Sequence, residues 1–213
     1  MTASAPASRS TPPRAWVRLP SGRRLDLLDP TPFDFEPSDL ALGAARTCRW
    51  GGHSVWEWPL SVAQHSLLVL EIGRSFGPLT PQAALSHLLH DASECLGVCF
   101  DPISPLKPFL GDGYHQLDRR LQAVVQTRFG LPNEIPPTLK KRIKRADRLA
   151  AAAEAVHVAG WSEAESRSIL GIRLPLLPED PLIARFGGTP WQPWPASLAA
   201  ERFLSSLTAL LAA

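Results

Sequence analysis

The sequence predicts an all-α fold, a helical bundle with at most a small strand pair near the N-terminus. Three observations predict it. Apolar residues recur at helical spacing in long segments such as SVAQHSLLVLEIGRSF and PQAALSHLLH. Residues that start helices stand just before those segments, Ser61 ahead of the first and Thr80 with Pro81 ahead of the second. Stretches rich in Gly and Pro separate one periodic segment from the next. A chain of 213 residues suits a single domain with a sizeable core plus a tail. The expected division is a disordered leader over 1 to 14, rich in Ser, Pro and Ala, and one domain over 15 to 213.

Taken in order, Trp16 to Leu19 and Arg24 to Leu28 read as short strands around the Ser21-Gly22 turn. Pro30, Pro32 and Pro37 make the next segment irregular. Ser38 or Asp39 can cap a helix that runs to about Cys48. The stretch RWGGHSVWEWPL, 49 to 60, is a loop with large aromatic anchors. Ser61 opens the next helix, with Val62, Leu68, Val69 and Ile72 on its apolar face and Gly73 or Gly77 at its end. A helix from Pro81 through PQAALSHLLHDASECLGV follows, with Leu85, Leu88 and Leu89 facing a core, and then the loop FDPISPLKPFLGDG. Further helices are expected at about 114 to 129, 137 to 159 and 162 to 170, then a Pro-rich stretch over 175 to 195, then a final helix from about 196 to 212. In that last helix Phe203, Leu204, Leu207 and Leu210 could face either the core or a second subunit of a homo-oligomer.

Bulk properties exclude several classes. A net charge of +2 gives no reason to infer a nucleic-acid or membrane partner. The basic run Lys140-Lys141-Arg142 and Lys144-Arg145 reads mostly as a solvated face. No apolar run reaches the roughly 18 to 20 residues that span a bilayer. The N-terminus lacks the apolar core of a signal peptide, so a cytoplasmic location is expected. Cys48, Cys95 and Cys99 show no zinc-type pairing and read as small, reduced core residues.

One constellation carries chemistry. His90 and Asp91 are adjacent in an apolar helical segment, where neighbours point about 100° apart. Both can reach one ion only from a groove between helices, with further ligands from other helices. His65, in VAQHSLLV, and Asp147, in IKRADRLAAAAE, are the candidates. Two imidazoles and two carboxylates suit Mn²⁺, Co²⁺, Fe²⁺, Ni²⁺ or Zn²⁺ better than Ca²⁺, and Mg²⁺ stays open. A His on an apolar helix is more often a satisfied core residue. Against that reading, an unpaired carboxylate at Asp91 between apolar turns would be costly.

His65, then His90-Asp91, then the distant Asp147 resembles the H…HD…D signature of the HD phosphohydrolase superfamily. The stretch SGRRLDLLDPTPFDFEPSDLALGAARTCRWGGH, followed by SVAQHS, HLLHDASE and DPISPLK, is similar to small HD enzymes. These include bacterial 5′-deoxynucleotidases and phage-type dATP triphosphohydrolases. The resemblance runs from about residue 16 to 160. It implies that His65, His90, Asp91 and Asp147 hold one divalent metal. It assigns Glu94 and Asp101 to proton transfer, and Arg49, Trp50, His53 and Lys107 to the substrate. The segment around Asp101 is somewhat longer than the family's D-x-P-x-P-x-K pattern, which leaves its register open. Trp50 could instead be a core anchor and Lys107 an ordinary surface residue. Lys144, one turn before Asp147, is a further candidate for neutralising phosphate.

The implied activity is hydrolysis of phosphate ester bonds in small deoxynucleotides, first as a 5′-deoxynucleotidase. A deoxynucleoside triphosphate triphosphohydrolase is the alternative, and an inactive nucleotide-binding regulatory module stands as the non-enzyme reading. A cyclic-dinucleotide phosphodiesterase is disfavoured because Ala92-Ser93-Glu94 replaces the Gly-Tyr-Pro that follows the HD pair in such enzymes.

Overall fold

A computed structural model describes residues 14–213, so the expected leader lies almost wholly outside the described residues. Among the described residues the architecture is all-α apart from one two-stranded sheet. Strands β1 (Trp16–Arg18) and β2 (Arg24–Asp26) pair antiparallel, Trp16 opposite Asp26 and Val17 opposite Leu25. Gly22 turns between them at φ +86°, a conformation that suits a residue without Cβ. Leu25 is fully buried, which anchors the hairpin on the domain.

Eight helices follow: α1 (Pro37–Arg46), α2 (Val62–Ser75), α3 (Pro81–Leu88), α4 (Gly111–Arg128), α5 (Pro137–His157), α6 (Glu163–Ser168), α7 (Ile183–Phe186) and α8 (Ala196–Leu211). The Ser61 and Thr80 hydroxyls accept from the amides of Gln64 and Ala83, each at 3.2 Å. Such caps typically stabilise a helix by about 1 kcal/mol. Helix α1 begins earlier than a Ser38 or Asp39 cap would allow. Pro37 takes the first helical position, and the Asp39 carboxylate accepts from the Glu36 and Ser21 amides at 2.9 Å. That carboxylate ties the strand hairpin to the helix. Helix α7 lies inside the Pro-rich stretch at 175 to 195.

Helix α2 is the central rod. It packs against α1, α3, α5 and α8. Its burial therefore extends well beyond one apolar stripe and includes Leu67, Leu70 and the polar Gln64, His65 and Ser66. The Trp-Pro strap at 190 to 195 has a structural part in this. Gln64 Nε2 donates to the Gln192 carbonyl at 3.0 Å, and its Oε1 accepts from the Trp194 amide at 2.8 Å. The strap thus clamps α2 beside His65. Phe203 and Leu207 are buried in the core, and Leu204 and Leu210 pack on it.

The basic run on α5 is not uniformly solvated. Arg142 Nη2 donates to the Gly73 and Gly77 carbonyls at 2.8 and 2.5 Å, satisfying the end of α2.

The continuous helix expected from Pro81 to about Val98 is not formed. α3 ends at Leu88, and a single tight turn covers Ala92–Glu94. Side chains take over the terminal backbone groups. His90 Nδ1 bonds the His87 carbonyl at 2.9 Å, and Gln122 Nε2, from α4, donates to the Leu89 carbonyl at 2.9 Å. Gln122 Oε1 also accepts from the Ser93 amide at 3.1 Å. These bonds replace continuation of the helical ladder. Past this turn the chain is irregular, so Cys95 is buried but Cys99 is exposed at φ +48°, not a core residue. No helix among the described residues is long and apolar enough to cross a membrane.

Helix α1 crosses the 92–95 turn with almost no clearance. A Cβ at Gly43 would stand 2.3 Å from the Cys95 carbonyl oxygen. Backbone cannot yield cheaply there, so Gly43→Ala should cost about 1–3 kcal/mol. Urea denaturation checks this; a change within about 0.5 kcal/mol, typical of an exposed site, would show that the turn is free to move.

Candidate metal centre

Four side chains from three elements converge on one point. The central rod α2 supplies His65, the turn after α3 supplies His90 and Asp91, and α5 supplies Asp147. One ligand atom from each of the four lies within 4.8 Å of all the others. His65 Nε2 is 3.6 Å from Asp91 Oδ2 and 3.5 Å from Asp147 Oδ1, and His90 Nε2 is 3.0 Å from Asp91 Oδ2. The break after α3 matters here. It frees His90 and Asp91 from the 100° helical offset, and their side chains approach the same point.

Both rings are oriented from behind. His65 Nδ1 faces Glu154 Oε1 at 2.5 Å, and His90 Nδ1 faces the His87 carbonyl. Such bonds set the tautomer, with the proton on Nδ1 and the lone pair on Nε2. Each Nε2 is buried without a hydrogen-bond partner, and buried polar atoms are rarely left so. Two aimed lone pairs beside two carboxylates fit a divalent cation. Ligand bonds of roughly 2.0–2.2 Å put donor atoms roughly 3 to 4.4 Å apart, close to the observed spacings.

The charges fit as well. Burial works against charging Asp91, yet the His90 and His65 imidazoles hold its carboxyl well below the usual carboxylate range. Burial likewise opposes ionisation of Asp147, and its contacts with His65 and His90 lower its pKa. Without a cation, burial and the Arg49 charge oppose protonation of His65, but Glu154, Asp147 and Asp91 raise its pKa well above the ordinary value, so a binding cation takes the place of a proton on Nε2.

A cavity of about 600 Å³ opens over this point, within the usual range for small-molecule pockets. Asp91, Asp101, Asp147, Arg49, Trp50, His53, Lys107, Lys144 and Arg148 line it. Apolar side chains line it too, among them Ile103, Ala151, Trp161, Leu170 and Ile172. Arg49, Trp50, His53, Asp101 and Lys107 therefore share one cavity with two of the metal-site carboxylates. Lys144 binds Asp147 Oδ2 at 2.7 Å.

Glu94 is placed differently. It does not line the cavity and is almost wholly buried. Its Oε1 takes Lys107 Nζ at 2.6 Å, while Oε2 is buried without a partner. Burial, then the Asp91 and Asp101 carboxylates, push its pKa up to about 9 against the pull of Lys107. Burial thus favours the neutral form of Glu94 beside the candidate centre.

The sequence reading missed Glu154. It lies seven residues after Asp147, two turns along one helix face, between the run Ala150 to Ala153 and Ala155. A lone carboxylate in an alanine run, in register with a candidate ligand, was the available signal. The residue is fully enclosed, and Arg49 and His65 lower its pKa to about 2 although burial opposes ionisation.

Comparison with known proteins adds kinship without a named activity. No family model matches the chain. It is 34% identical over 122 residues to the uncharacterized protein YfdR of Escherichia coli, covering 57% of this chain and 60% of that protein. It is 48% identical over 165 residues to the uncharacterized protein RCAP_rcc00048 of Rhodobacter capsulatus, covering 77% of this chain and 83% of that protein. The chain belongs to the same protein family as RCAP_rcc00048.

Proposed function

We propose that this protein is an HD-type, metal-dependent phosphohydrolase of small nucleotides, most simply a 5′-deoxynucleotidase that releases a nucleoside and phosphate. The observation that carries the reading is the meeting of His65, His90, Asp91 and Asp147 beside a cavity whose wall adds Arg49, Lys107, Lys144 and Arg148. A cation site alone fits many reactions. One placed beside four side-chain cations favours an anionic substrate, and phosphate oxygens match both the fork of Arg49 and the point charge of Lys107. The apolar part of the lining, with Trp161 and Ile172, offers surface for a nucleoside.

A divalent cation bound by the four residues would polarise a phosphate oxygen and lower the pKa of an attacking water. The chain's own residues do the rest. Arg49, held rigid by Glu154 and Asp101, offsets charge on the non-bridging oxygens. Lys107 exchanges Glu94 for substrate oxygen, which exposes the Glu94 carboxyl. Glu94 then gives a proton to the leaving oxygen or takes one from water, and Asp101 is the second candidate for that transfer. Trp50 and Trp161 shape the nucleoside end.

The reading is tested by assaying the purified chain against nucleoside mono-, di- and triphosphates with Mn²⁺, Co²⁺ or Mg²⁺. Deoxynucleoside monophosphates are expected to yield inorganic phosphate. Release of triphosphate instead would select the triphosphohydrolase reading, for which Lys144 and Arg148 supply extra positive charge in the cavity. Nucleotide binding without turnover under any metal would leave the regulatory-module reading.

A further inference from the structure

Glu154 holds two things at once. Its Oε1 faces His65 Nδ1 at 2.5 Å. Its Oε2 accepts from Arg49 Nε at 2.9 Å and from the Trp50 indole Nε1 at 3.2 Å. One end of the carboxylate thus orients a ring of the candidate cation site, and the other end holds the Arg49–Trp50 arm that lines the cavity. The side chain is 1% exposed, so water does not substitute for either contact. The arm also needs holding. Trp50 sits at φ +55°, a left-handed conformation that a bulky residue keeps only when its surroundings impose it.

We propose that Glu154 is a positioning residue that couples the cation site to the Arg49–Trp50 arm, so that cation binding and phosphate binding strengthen each other. The inference rests on the metal-site reading but not on which phosphate compound is hydrolysed. The physical reason is the rigidity of one carboxylate. A shift of His65 on binding a cation moves Oε1, and Oε2 must move with it. Thermodynamic linkage makes the effect reciprocal: whatever factor phosphate adds to cation affinity, the cation adds to phosphate affinity. A glutamine cannot replace Glu154, because it accepts at one end only. Its NH₂ would face either the His65 Nδ1 proton or the Arg49 and Trp50 donors.

The test titrates the full chain with Co²⁺ alone, then with Co²⁺ at saturating inorganic phosphate, and compares wild type with Glu154→Gln. Wild type should bind Co²⁺ more tightly when phosphate is present. Glu154→Gln should lose about 10–100-fold in Co²⁺ affinity, as for other outer partners of metal ligands, and its phosphate-dependent gain should fall to about one. A carboxylate that merely neutralised Arg49, or merely held the imidazole, would leave that gain at its wild-type value, and such a result overturns the proposal. If Glu154→Gln does not fold, Trp50→Phe decides. It removes one donor to Oε2 and leaves the sequence of α5 unchanged, and a reduced phosphate-dependent gain supports the coupling, whereas an unchanged gain overturns it. Wild-type protein that takes up no Co²⁺ at all sinks the metal reading and this inference together. Normal wild-type coupling that persists in the variants sinks this inference alone.

Discussion

Asp91→Ala protein is expected to emerge from purification without its divalent cation and to hydrolyse no phosphate ester above background. Asp91 Oδ2 is the atom that both imidazole Nε2 atoms approach, at 3.0 and 3.6 Å. Its removal leaves His65, His90 and Asp147, and also takes away negative charge that faces Arg49 at 3.9 Å. The fall in Co²⁺ affinity should therefore exceed the roughly 10–100-fold that loss of an outer partner costs. Metal content by elemental analysis and turnover on deoxynucleoside monophosphates are the two readouts. Asp112→Ala, at an exposed position on α4, serves as the control and should change neither. An Asp91→Ala protein that kept both cation and turnover would remove Asp91 from the centre.

Glu94→Gln should separate binding from chemistry. Glu94 is not one of the four clustered ligands, so cation affinity should stay within a few-fold of wild type. Turnover should fall about 10²–10⁴-fold, the usual worth of a positioned acid or base. The same variant has a stability signature in metal-free protein. The folded-state pKa of Glu94 is raised from 4.5 to about 9. Between those values the folded chain holds a proton that the unfolded chain has released, so stability falls as pH rises through that window. His65, also raised, acts in the same direction. Glu154, lowered from 4.5 to about 2, acts at the other end: its contribution is present above pH 4.5 and is lost as pH falls toward about 2. The melting temperature of the metal-free wild type should thus decline from pH ~5 to pH ~9, and Glu94→Gln should decline less. Equal slopes for the two proteins would show that Glu94 ionises freely in the fold.

Two helix starts were legible because they are local. Ser61, and Thr80 with Pro81, sit next to the backbone amides they serve, and the helices begin where those residues stand. The end of α3 was not legible. Leu88, Leu89, Ala92, Cys95 and Leu96 are all buried and continue an apolar pattern past the break. What ends the helix there includes Gln122, some thirty positions on, bonding to Leu89 and Ser93. No window along the sequence shows that contact. The candidate site divides in the same way. His65, His90, Asp91 and Asp147 stand out because polar groups among apolar residues need partners and because their spacing resembles the H…HD…D signature. Glu154 was hidden, since its partners His65, Arg49 and Trp50 come from α2 and from the loop before it. The strap at 190 to 195 was opaque for the same reason: its meaning lies in Gln64, more than a hundred residues away.

The central claim is that four side chains from three separate elements share one cation. Anomalous scattering from crystals grown with Mn²⁺ tests it most directly. The account predicts a single strong peak per chain, bonded to His65 Nε2, His90 Nε2, and one oxygen each of Asp91 and Asp147. An empty centre at saturating Mn²⁺, with those imidazole nitrogens protonated and hydrogen-bonded to the carboxylates, would contradict it.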